Sequence, residues 1–160
     1  QDICIRDISR VGCDFDARRD AVRRIYSYYV VNGNVQSVFL RKYSILITQK
    51  LDLEMMQKAA RLFIGRKDFR AFGNQAEYGS TVRTVYSFHI TGNSDNLIIF
   101  NIEASSFLYN MVRIMVGTIL ELGKGLRTLE SIEKALEARD RELAGKTAPA
   151  KGLFLTKVLY

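Results

Sequence analysis

The sequence predicts an α+β domain with a mainly antiparallel sheet, and three observations carry that prediction. Segments 82–90 and 98–104 alternate apolar and polar residues with the period of a strand, and a Gly/Asn-rich turn separates them. Segments 52–64 and 106–122 instead repeat apolar residues every three or four positions, the spacing of one helical face. These helices are inserted between strands that pair as hairpins, which is the α+β arrangement.

In chain order, residues 3–8 read as a short strand. Residues 21–31, rich in Val, Ile and Tyr, read as a longer one that ends at the turn signal Asn32, Gly33, Asn34. The helix over 52–64 has Asp52 as its N-cap, Leu51 and Met56 as a hydrophobic staple, and Gly65 as its stop. Val82, Thr84, Tyr86, Phe88 and Ile90 are expected on one strand face, and Ile98, Phe100, Ile102 and Ala104 on the next strand, with a hairpin over 92–96. A second long helix follows over 106–122. A third starts from a Thr128 cap and runs through Leu129, Ile132, Ala135 and Leu136, and residues 153–160 close the chain as a strand.

With 160 residues and 48% hydrophobic content, the chain suffices for one packed core and reads as a single domain over 1–160. Charges interrupt its longest apolar stretches. Neither a transmembrane span nor a signal peptide is read, so no membrane role and a cytoplasmic location are expected. Cys4 and Cys13 lack CxxC spacing and His89 is the single histidine, so no zinc site is expected and the thiols are read as reduced.

The formal charge is +7, and its distribution is uneven. Residues 1–75 hold 14 Lys/Arg against 8 Asp/Glu, whereas residues 76–160 hold 10 against 9. In the basic half Arg18, Arg19, Arg23 and Arg24, then Arg41 and Lys42, then Arg66, Lys67 and Arg70, stand near tyrosines and phenylalanines. Positive charge beside aromatic faces suits loop or single-stranded nucleic acid, by phosphate pairing and base stacking. A plain solvated basic surface is the alternative.

Within the apolar helix, Arg113 is the one charge of the middle turns, at the edge of the face formed by Leu108, Met111, Val112, Met115, Val116 and Ile119. A guanidinium half-buried against a core requires an anionic partner, because leaving it unpaired would cost several kcal/mol. No acidic residue lies between Glu103 and Glu121, so the partner is expected from elsewhere. The simpler possibility is that Arg113 snorkels to solvent. Gly145-Lys146-Thr147 superficially suggests a phosphate loop, but it precedes Pro149 and a strand instead of joining a strand to a helix.

Five blocks of the chain, in order, resemble the C-terminal half of the tRNA pseudouridine synthase A (TruA-type) family. They are Phe15-Asp-Ala17-Arg18 with Arg24-Ile-Tyr26-Ser-Tyr28, then residues 51–69, then Phe107-Leu108-Tyr-Asn-Met111-Val112-Arg113, then Val116-Gly117, and finally 144–160. The chain departs from the family pattern at Lys67 and Asn110, where histidine is usual or frequent.

The resemblance implies a pseudouridine synthase-like fold and isomerisation of uridine in the anticodon stem-loop of tRNA, with no metal or other cofactor. It further implies catalytic roles for Arg113, which pairs with a nucleophilic aspartate, and for Tyr26, which stacks on uracil and takes the C5 proton. Leu153, Arg18 and Arg24 become substrate-binding residues, Leu153 against the base and the arginines as phosphate contacts. Read on their own, Tyr26 is better explained as a strand tyrosine packed in the core, Leu153 fits a plain core equally well, and the two arginines fit surface ion pairs.

The family's aspartate lies in an N-terminal motif, Gly-Arg-Thr-Asp-x-Gly-Val-His, that nothing here matches. An absent N-terminal domain is therefore an expected partner, along with tRNA and a second copy in a homodimer, and the chain alone is expected to be inactive. Asp68, in Gly65-Arg66-Lys67-Asp68, reads as a turn and helix-end residue and not as the nucleophile. The rival readings are a non-catalytic basic RNA-binding module of α+β type and, less specifically, a dimerisation domain using apolar residues such as 29–31.

Overall fold

The computed structural model describes residues 3–74, 79–92 and 96–160. At its centre is β1 (Arg23–Asn32), whose β-branched and aromatic residues suit a strand paired on both edges. One edge pairs antiparallel with β5 (Leu97–Ala104), which pairs with β4 (Val82–Gly92), which pairs with the edge strand β3 (Gly65–Asp68). The other edge is shared. β6 (Leu153–Leu159) runs antiparallel along Arg23–Tyr28, and β2 (Ile45–Ile47) runs parallel to Val30–Asn32. The sheet is thus six-stranded and mixed, with antiparallel pairings dominant, as the α+β reading anticipates.

The helices α1 (Leu53–Leu62), α2 (Met111–Gly123) and α3 (Leu129–Ala138) bury one face of this sheet. Cross-strand neighbours Tyr28 and Phe100, Tyr26 and Ile102, and Val30 and Ile98 point into that core. The predicted caps form: Asp52 accepts from the Met55 amide and Thr128 from the Ser131 amide. Leu51 and Met56 both pack where a Cβ on Gly123 would fall, so the staple also closes against α2.

Several expectations are corrected. Residues 3–8 form no strand, and Ile3, Ile5 and Ile8 are exposed, because no neighbouring strand pairs with them among the described residues. α1 ends at Leu62, and Gly65, with φ at +107°, opens β3 instead of following the helix directly. In β4 a register shift between Val85 and Ser87 changes which residues face inward. Val85, Phe88 and Ile90 are buried while Tyr86 is exposed. Residues 93–95 of the expected hairpin lie outside the described residues, although β4 and β5 pair right up to Gly92 and Ile98. Residues 29–31 are mostly buried in the central strand and offer no exposed dimerisation patch.

α2 starts five residues later than predicted. Its N-cap, Asn110, is left-handed at φ 60°, and residues before it are held by tertiary contacts: Tyr109 O accepts from the Asn74 amide, and Leu108 sits where a Cβ on Gly73 would fall. The helix is also buried more completely than one apolar face implies. Of its 13 residues, only Arg113 and Glu121 are not buried.

Candidate active site

The loop after α3 is strapped along α2 and places Arg113. Gly117 permits the crossing, since a Cβ there would collide with the Lys146 carbonyl. One position on, buried Thr118 donates to Ile114 O and accepts from the Gly145 amide at 2.9 Å. Glu121 accepts from the Lys146 amide and pairs with Arg127, which in turn donates to the Leu143 and Ala144 carbonyls. Burial pushes the Glu121 carboxyl up, but hydrogen bonds and charge from Arg127 and Lys146 outweigh it and hold the group below its ordinary range.

At the C-terminal end of this strap, against the first turn of α2, the Ala148 amide donates to Arg113 O at 3.0 Å. Arg113 Nε donates back to Ala148 O at 2.6 Å, and Nη1 donates to Asn110 Oδ1 at 2.9 Å. Among the described residues, the guanidinium has no ion pair. The acidic residues that sequence proximity would offer are engaged elsewhere, Glu103 with Arg23 and Glu121 with Arg127. Asp68 is not the turn residue expected but the last residue of β3, paired with Val82, and it accepts from the Arg70 amide and the Thr81 hydroxyl while pairing with Arg139.

A cleft of about 620 Å³ opens at this end of α2, and Arg18, Tyr26, Arg113 and Leu153 all line it. Tyr26 meets Phe107 edge to face, with ring centroids 5.1 Å apart. Leu153 begins β6 directly after Gly152, whose Cβ-less backbone lies against the Tyr28 ring. Tyr28 is fully buried and donates to Pro149 O at 2.6 Å. Burial pushes its phenol above the ordinary tyrosine range, against the nearby charge of Arg113, so it remains a donor that anchors the turn before Leu153.

Arg24 is not brought to the cleft. Its guanidinium donates to the carbonyls of Ala21, Ser105 and Arg18, bracing the segment that carries Arg18. Sequence reasoning missed Phe107, Asn110 and Ala148 as parts of the site. Asn110 was marked only by its departure from histidine, and nothing in the sequence ties Ala148 to Arg113 across 35 residues.

The sequence profile of the tRNA pseudouridine synthase family matches residues 59–160, which include Arg113 and Leu153. The chain belongs to that family. A protein called tRNA pseudouridine synthase A from Geobacillus sp. (strain WCH70) is 44% identical over 160 residues, covering 99% of this chain and 64% of its own length. Proteins of the same name from Halalkalibacterium halodurans and Acetivibrio thermocellus are 44% and 41% identical, covering 95% and 99% of this chain and 58% and 65% of their own lengths. The similarity to these synthases therefore extends over most of the first 58 residues, where Arg18, Arg24 and Tyr26 lie. The chain spans a little under two thirds of the length of these curated relatives.

Proposed function

We propose that this chain forms part of a tRNA pseudouridine synthase and completes the active site around a nucleophilic aspartate carried on a segment outside these 160 residues. The observation that carries this reading is Arg113: a partly buried guanidinium on the wall of an open cleft, held by neutral acceptors and without an ion pair among the described residues. Such a group keeps an incoming carboxylate ionised and oriented.

In this reading a uridine of the tRNA anticodon stem-loop leaves its stack and enters the cleft. The C–N glycosidic bond breaks, the uracil turns, and a C–C bond forms at C5. The proton lost from C5 is balanced by one taken up at N1, so the isomerisation consumes no oxidant or reductant. Tyr26 stacks on the uracil and receives the C5 proton, Leu153 packs against the base, and Arg18 pairs with phosphate. Arg24 supports this last contact through its bond to the Arg18 carbonyl.

The protein acts in the cytoplasm as a homodimer, in this reading, with no membrane contact. Among the described residues, no helix is long and apolar enough to cross a membrane.

The test measures tritium release from tRNA labelled at uracil C5. The full-length synthase is expected to release tritium, and this chain alone is expected to bind tRNA and release none. Release by the 160-residue chain would place the nucleophile within it. A full-length protein that binds tRNA without ever releasing tritium would favour a non-catalytic RNA-binding module.

A further inference from the structure

We infer that Asn110 is a positioning residue that aims the Arg113 guanidinium into the cleft, an inference that rests on the active-site role proposed for Arg113. Asn110 is the N-cap of α2, and its backbone is left-handed, with φ 60° and ψ 5°. Few residues besides glycine adopt that conformation readily, and asparagine is one of them.

An asparagine N-cap ordinarily spends its side-chain oxygen on a backbone N–H of the first turn. Here no such capping bond forms. The Oδ1 atom instead accepts from Arg113 Nη1 at 2.9 Å. The chain has thus diverted a standard helix cap to the side chain of the third helical residue.

With Ala148 O accepting from Nε at 2.6 Å, two acceptors contact two different nitrogens of one rigid plane. This fixes both the tilt and the rotation of the guanidinium. Both acceptors are neutral, so the positive charge is not quenched. Of the five guanidinium N–H groups two are occupied, and the remaining three have no hydrogen-bond partner among the described residues. They are available to a carboxylate entering the cleft, whose wall includes both Asn110 and Arg113. Aspartate at this position would offer the same geometry but bring a charge that competes with that carboxylate.

Asn110→Gly tests the inference, because glycine accepts the left-handed backbone without strain and removes only the acceptor. In full-length synthase acting on tRNA, kcat is expected to fall about 10- to 100-fold, the cost of a misaimed catalytic contact, while KM and melting temperature stay near wild type. Asn110→Asp should reduce kcat at least as far. In an Arg113→Lys background, Asn110→Gly should add less than about a twofold loss, since the two changes act on one element.

Wild-type kcat in Asn110→Gly beside an inactive Arg113→Leu would overturn the positioning role while leaving the active-site reading intact. Full turnover by Arg113→Leu would overturn both. Parallel losses in melting temperature, KM and kcat would reduce Asn110 to a brace of the helix start and overturn the inference.

Discussion

Arg113 and Ala148 grip each other twice: the Ala148 amide donates to the Arg113 carbonyl at 3.0 Å, and Arg113 Nε donates to the Ala148 carbonyl at 2.6 Å. The side chain that faces the cleft is therefore held by the strap crossing α2 at Gly117, and changes along that strap should reach the site.

Replacing Arg113 by leucine should cost stability modestly, about 1–2 kcal/mol, because the buried Ala148 carbonyl loses its donor. Turnover by the full-length synthase should fall by at least about 100-fold, the usual loss when one preorganised charge contact is removed. Arg113→Lys should also be impaired, since an ammonium cannot supply a planar fork. Chemical denaturation and single-turnover kinetics on the same preparations check both halves.

Thr118 and Gly117 test the strap itself. Thr118→Val leaves the Gly145 amide unpaired in a buried site and should destabilise by about 1–3 kcal/mol, while Thr118→Ser should retain most of the stability. Gly117→Ala forces a methyl against the Lys146 backbone and should cost a similar 1–3 kcal/mol or more. Urea midpoints decide this, and wild-type stability in both Thr118→Val and Gly117→Ala would mean the strap contributes little.

Acidification should loosen the strap through Glu121. Its folded carboxyl lies below the ordinary value of 4.5, so its stabilising effect is present at neutral pH and is lost as pH falls from 4.5 through the folded pKa. Wild-type protein should therefore exceed Glu121→Gln in stability at pH 7 and lose that advantage at the acidic end. Paired denaturation curves from pH 7 to pH 3 measure the gap. A constant difference would assign the effect to packing instead of charge.

Arg18 and Arg24, alike in sequence, should behave differently with RNA. Arg18→Ala is expected to reduce the salt dependence of tRNA binding by about one unit of slope, the signature of one lost phosphate contact. Arg24→Ala removes three hydrogen bonds to main-chain carbonyls, so it should act first on the melting temperature. Binding titrations over a range of salt, set beside thermal melts, distinguish the two. An equal slope change with no loss of stability in Arg24→Ala would place its guanidinium on phosphate after all.

The α+β class, the caps at Asp52 and Thr128, the inward residues of β5 and the anomaly of a charge in an apolar helix were legible along the chain. All of these depend on local spacing: alternation in a strand, periodicity in a helix, or a capping side chain two or three residues from the amide it serves. The rest depends on contacts between distant segments. Unpaired residues 3–8 could not become a strand, the β4 register shift brought Val85 inward in place of Tyr86, and contacts from Gly73 and Asn74 delayed the start of α2 to Met111. The Arg113 clamp likewise joins residues 35 positions apart. Only packing of the strap onto α2 could bring its two halves together, because neither Arg113 nor Ala148 carries a local signal for the other.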